Sequence, residues 1–163
     1  MNYLQKNITE REVYFWGKLR EVDLNPLLEW VIYKYQWNRE KTLGAIAFYQ
    51  MFLFLLYLYP NKTIVPPLPE VDLIWHEHIL NTPQYIQDSQ MLFGRYIHHV
   101  PTYSLTPEAQ KQTETAWSET LELWRQHFGS EILANTTSEN PSDQESQKTP
   151  KADCIHPPDP HLT

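Results

Sequence analysis

The chain is short of cysteine, glycine and positive charge, and each shortage removes a class of protein. One cysteine, Cys154, in 163 residues excludes an intramolecular disulfide and fits a reducing compartment. With four glycines there is no phosphate loop and no dinucleotide fingerprint, so no nucleotide cofactor is expected, and no catalytic triad stands in a recognisable context. Thirteen basic residues face twenty acidic ones, a net charge of −7, and none of the basic residues cluster. That balance argues against nucleic acid, and against an anionic membrane surface, as the main partner. The N-terminal run MNYLQKNITERE lacks an apolar signal region, which argues against secretion by that route and makes the cytoplasm the expected location.

What is present is a chain with 41% hydrophobic residues, enough for one sizeable core. Thr9 and Glu12 form a capping-box pair that opens a helix running to about Glu21. Asn25 followed by Pro26 reads as a cap and first helical position, with the helix ending near Trp37. The segment from Leu43 to Tyr59 carries no charge and is apolar on every side. It falls slightly short of the roughly 20 residues that span a bilayer, contains Gln50 and stops at Pro60, so it is expected to be the central buried helix, starting near Arg39. The run TIVPPLP is too rich in proline for a helix and should be an extended connection. Thr106 and Pro107 open a long last helix that Gly129 ends, with His127 in its final turn, where a charged imidazole would meet the helix dipole. Beyond Ser130 the composition turns to Ser, Thr, Asn, Pro and Glu. The expected architecture is all-α: a single-domain bundle of about six helices over residues 1–130, followed by a disordered acidic tail over 131–163. Cys154, His156 and His161 in that tail are expected to bind metal only adventitiously, because a flexible segment loses entropy on ordering.

Four of the seven histidines fall between Pro66 and Pro101. Pro69 suits a first helical position and Glu70 and Asp72 put negative charge in the first turn, which predicts a helix from Pro69 to Leu80. Thr82 and Pro83 open a second helix to about Leu92, and Gly94 supplies its left-handed end. At about 100° per residue, Asp72 and His76 share a stripe with Trp75 at its edge, while His78 lies about 160° from His76. His76 and His78 therefore cannot serve one site, and His78, beside Val71 and Ile74 in projection, is expected to be structural or on the surface. HEHIL imitates the zinc-protease pattern, but Leu80 occupies the second histidine position. The candidate set is Asp72, His76, and His98 or His99 returned by the loop after Gly94, the composition of a two-histidine, one-carboxylate site for zinc or iron. The competing reading makes Asp72 a first-turn charge and His76 a hydrogen-bonded core residue. Ser89 projects inward with Tyr85 and is expected to bond the backbone.

The run VDLIWHEHIL, then Thr82, Tyr85, Asp88, Phe93-Gly94 and His98-His99-Val100-Pro101, resembles the glycine-rich domain-containing protein-like family of plants and bacteria. Its members share Val-Asp-x-x-Trp-His, a tyrosine, an Asp or aromatic residue before a cysteine, and His-His-x-Pro. The resemblance extends from Tyr49, Phe52 and Leu53 to Phe128-Gly129. It implies that Asp72, Trp75, His76, His98 and His99 matter more than His78, with Tyr85 in support, and it brings no securely known activity. The chain departs from the family pattern in having Ser89 where many relatives have cysteine, Leu68 where many have a serine cap, and no glycine-rich tail.

Three functions are compatible with these residues: a small intracellular binding protein with a divalent-metal site, a metal-dependent enzyme using the same site, and an interaction module in which the motif only locks the fold. None of them names the partner, whether protein or small molecule.

Overall fold

The computed structural model describes residues 9–101, 106–130 and 154–155, and within them the chain folds as a bundle of six helices: α1 (Glu10–Leu19), α2 (Asn25–Tyr35), α3 (Arg39–Leu58), α4 (Pro69–Leu80), α5 (Thr82–Phe93) and α6 (Pro107–Phe128). The start signals at Thr9 and Thr106 act as the sequence says they should, and Asn38, not among the expected caps, caps α3. Thr82, expected to cap α5, instead stands inside that helix, and Asn81 takes the cap position without a side-chain bond. Thr9 caps α1 with the full reciprocal box to Glu12, Asn38 caps α3 through Lys41 N–H, and Thr106 caps α6 through Ala109 N–H. Each side-chain oxygen satisfies an amide that has no partner inside its helix. Gly94 ends α5 with φ of 70°, where an L side chain would be strained.

Asn25 is an exception to the expected capping. It stands inside α2 rather than before it, Leu24 takes the cap position without a side-chain bond, and the Asn25 amide turns back to Asp23 at 2.8 Å. The helix also stops two residues short of Trp37, because Gln36 adopts a left-handed φ of 53°.

Helix α3 lies at the centre, packed against α1, α2 and α4. Tyr49, Phe52 and Leu55 on it are wholly buried, which explains an apolar sequence without polar stripe. It is also the one described helix long and apolar enough to cross a membrane. The proline-rich connection after α3 buries Ile64 and Val65 and is pinned to α6 by Val65 N–H donating to Thr120 Oγ1 at 3.1 Å. That anchorage delivers Pro69 to the start of α4, so the histidine-bearing helix is set against the core on both sides, with Val71, Ile74 and Trp75 fully buried.

His127 does not stand at a solvent-facing helix end. Its side chain is buried; Nε2 lies 2.7 Å from the Tyr59 hydroxyl and Nδ1 lies 3.7 Å from Glu12, tying α6 to α1 and to the end of α3.

The tail expected to be disordered, with His156 and His161, lies outside the described residues except at one place. There the backbone of Cys154–Ile155 pairs antiparallel with Val100–Pro101, the only strand pairing among the described residues.

Candidate metal site

Asp72 and His76 stand one helical turn apart on α4, and His99 comes back to them on the extended segment after α5. One ligand atom from each lies within 4.8 Å of the others. His99 Nε2 is 3.2 Å from Asp72 Oδ1, and the His76 and His99 rings are 4.2 Å apart between centroids. His76 Nδ1 lies 2.8 Å from the backbone oxygen of Asp72 and 3.4 Å from its Oδ2. A carbonyl cannot donate, so Nδ1 carries the proton and the lone pair sits on Nε2. Fixing one ring nitrogen on a carbonyl is the usual way a protein aims the other at a metal. His76 is about half exposed, at 47% for its side chain, whereas His99 keeps only 8%, so the cluster is open on the His76 side and walled on the other.

The wall is Trp75. Its ring packs 4.2 Å from that of His99 and 4.9 Å from Phe52, and its Nε1–H donates to the Tyr85 oxygen at 2.9 Å. Tyr85 in turn donates to the carbonyl of Ile97 at 2.8 Å, two residues before His99. α4 and α5 therefore hold the returning segment by its backbone. Burial pushes the Tyr85 phenol far above its ordinary pKa, with hydrogen bonds from Trp75 and Ser89 pulling weakly the other way, so it stays a neutral donor to Ile97.

The two adjacent histidines diverge. Along the extended segment Ile97 is buried, His98 exposed, His99 half-buried and Val100 exposed, the alternation that extended backbone imposes. His98 packs its ring against Tyr96 at 4.8 Å and does not belong to the Asp72, His76, His99 cluster.

His78 is no surface residue. It is 4% exposed and sits in a polar network inside the bundle that the sequence did not show. Its Nε2 is 3.0 Å from Asp88 and its Nδ1 is 2.9 Å from the Tyr49 hydroxyl. Nε2–H donates to the carboxylate, so Nδ1 is the acceptor and Tyr49 donates to it; Gln84 donates to the other Asp88 oxygen at 2.8 Å. Burial lowers the His78 pKa, and the Asp88 carboxylate only partly offsets this. Burial likewise raises Tyr49 well above its usual value. The group is thus a neutral imidazole and a neutral phenol around one carboxylate, joining α3, α4 and α5. Ser89 is buried beside it and engages Tyr85. No backbone bond from the Ser89 hydroxyl is seen among the described residues.

Glu77 was also missed. It is 6% exposed and accepts from Trp30 Nε1 at 2.6 Å, Lys34 Nζ at 2.6 Å and the Tyr35 hydroxyl at 2.8 Å. Burial alone would raise its pKa, but those three donors outweigh it and hold the carboxyl below the usual range. Glu77 fastens α2 to α4 and leaves the opposite face of α4 to Asp72 and His76.

Comparison with known proteins supports the family resemblance. The UCP032817-like family model matches residues 19–140. Two relatives from Arabidopsis thaliana, glycine-rich domain-containing proteins 1 and 2, are 33% and 32% identical over 88 residues, 52% of this chain. The chain spans about a tenth of those relatives, 11% of each. No solved structure matches.

Proposed function

The chain belongs to the UCP032817-like family, and from that premise we propose that it is an intracellular binding protein whose Asp72, His76 and His99 hold one divalent transition-metal ion, zinc or iron. The observation that carries this reading is the meeting of one carboxylate and two imidazoles from separate elements within 4.8 Å. Ligand atoms around one ion at metal–nitrogen bonds of about 2.1 Å stand about 3–3.4 Å apart. The present spacing is wider than that, so the ligand atoms must draw together on binding, and the half-exposed His76 is the side chain with room to move. The donor set, two imidazoles and a carboxylate, suits zinc or ferrous iron over calcium or magnesium.

Three protein ligands with one open side are also the arrangement of catalytic metal sites. A metal-dependent enzyme is therefore the second reading, favoured by the exposure of His76. A purely structural role is the third, favoured by the Asp72–His99 hydrogen bond, which closes without an ion.

Isothermal titration with Zn²⁺ separates them from the third. The expected result is one equivalent bound, with Asp72→Ala, His76→Ala and His99→Ala each weakening it by more than the roughly 10–100-fold that loss of an outer-shell partner costs. His98→Ala and His78→Gln should leave the stoichiometry intact. If the cluster is only a hydrogen-bond network, no saturable heat appears, and His99→Ala instead lowers stability by about 1–3 kcal/mol through its unpaired partner.

A further inference from the structure

On the side of α4 away from Asp72 and His76, a cleft of ≈ 150 Å³ opens between α2, the end of α4 and α5, with the His78 ring at its floor. Leu27 and the Trp30 indole, which is 47% exposed, form an apolar and aromatic wall. Asp23, Asn81 and Gln84 form the polar rim. No lysine or arginine lines it. Lys34 stands over Trp30 at 5.7 Å but is held by Glu77 at 2.6 Å, and each neutralises the other. The carboxylate in the lining is Asp23 at the rim, whose Oδ1 accepts from Asn25 and whose second oxygen carries no ion pair among the described residues. Gln84 gives its amide N–H to Asp88, so its carbonyl oxygen remains as an acceptor, and Asn81 adds another at the end of α4.

A lining that joins an exposed indole and apolar side chains to a carboxylate and two side-chain amides is complementary to a small planar donor-rich cation. We propose that this cleft binds a small organic cation of the guanidinium or amidinium class. Its small volume suits a ligand of only a few non-hydrogen atoms. The cation lies flat on Trp30, donates to the Gln84 and Asn81 carbonyls, and has its charge met by Asp23. Nothing in this depends on metal at Asp72, His76 and His99. The two sites are separated by the Trp75, Tyr85 and His78 layer, in which the Tyr85 ring lies 5.1 Å from that of His78.

The test is an NMR titration of the full chain with methylguanidinium and with N-methylurea, its neutral isostere, at fixed ionic strength, following the Trp30 indole N–H. The expected result is a saturable shift with a Kd on the order of millimolar, as suits so few ligand atoms, and binding of the urea at least about tenfold weaker. Asp23→Asn should weaken methylguanidinium binding about fivefold, and Leu27→Trp, which fills the cleft, should abolish it. The proposal is overturned by an unsaturable shift, by equal binding of the urea, or by Asp23→Asn binding as tightly as the wild type. The last comparison stands even if the filled variant does not fold.

Discussion

His78→Ala is expected to lower stability by about 3–5 kcal/mol, the penalty for leaving a buried charge, here the Asp88 carboxylate, without its partner, although His78 is no part of the proposed metal site. The substitution leaves the Asp88 carboxylate with Gln84 alone and takes the acceptor from Tyr49, which is wholly buried. Tyr49→Phe removes only one neutral hydrogen bond and should cost about 1 kcal/mol. Replacing His78 and Asp88 together by leucine and Tyr49 by phenylalanine should recover much of the loss, because no fully buried member of the network is then left unpaired. Urea denaturation of these variants checks all three, and a loss below about 1 kcal/mol for His78→Ala would show the network to be incidental. The same group sets the pH response. Unfolded, His78 takes up a proton near pH 6.5; folded, its lowered pKa keeps it neutral to a lower pH. The unfolded state therefore binds more protons just below pH 6.5, and stability falls as pH drops through that window. Glu77 adds a second loss at lower pH. Its folded pKa lies below the ordinary 4.5, so the stability it contributes is present above that value and disappears as pH falls beneath it. In His78→Gln the first step should vanish and the second remain.

The second large effect is expected at Trp75. Trp75→Ala should cost about 3–5 kcal/mol, the usual range for emptying a large aromatic site in a core, since the residue is completely buried between Phe52 and His99. It should also weaken metal binding without removing a ligand, because His99 loses the ring it packs against and Tyr85 loses its donor. Trp75→Phe separates the two contributions. It keeps most of the packing and loses the Nε1–H bond to Tyr85, so stability should fall by about 1 kcal/mol and Zn²⁺ affinity by about tenfold. Equal affinity in the phenylalanine and wild-type proteins would mean that the Trp75 to Tyr85 bond does not hold the His99 segment.

Local signals in the sequence account for the helices. Thr9, Asn38 and Thr106 cap, Pro69 and Pro83 start, and Gly94 stops, each through a backbone requirement confined to a few residues. Asn25 misled because an Asx-type bond to Asp23 competes with capping, and both roles favour the same residue types. The pairing of Asp72 with His76 was legible because helical periodicity alone sets it. Which of His98 and His99 would join them was not: adjacent residues on extended backbone face opposite ways, and the sense is fixed by the burial of Ile97 and its bond to Tyr85, a tertiary fact. The His78 network spans three helices, with partners 10 and 29 residues away. Its trace in the sequence was indirect. Tyr49, His78, Tyr85 and Asp88 all occupy inward positions, and buried polar groups must find one another. Glu77 left a weaker trace, because its three donors on α2 are ordinary in composition.

The central claim is that Asp72, His76 and His99 share one ion. X-ray absorption at the zinc edge, on protein loaded with one equivalent, tests it most directly. The account predicts a first shell of nitrogen and oxygen at about 2.0–2.1 Å with the scattering of two imidazoles, reduced to one in both His76→Ala and His99→Ala and unchanged in His98→Ala. A sulfur shell at about 2.3 Å, an imidazole count that follows His98 instead of His99, or failure to retain one equivalent of zinc would contradict it.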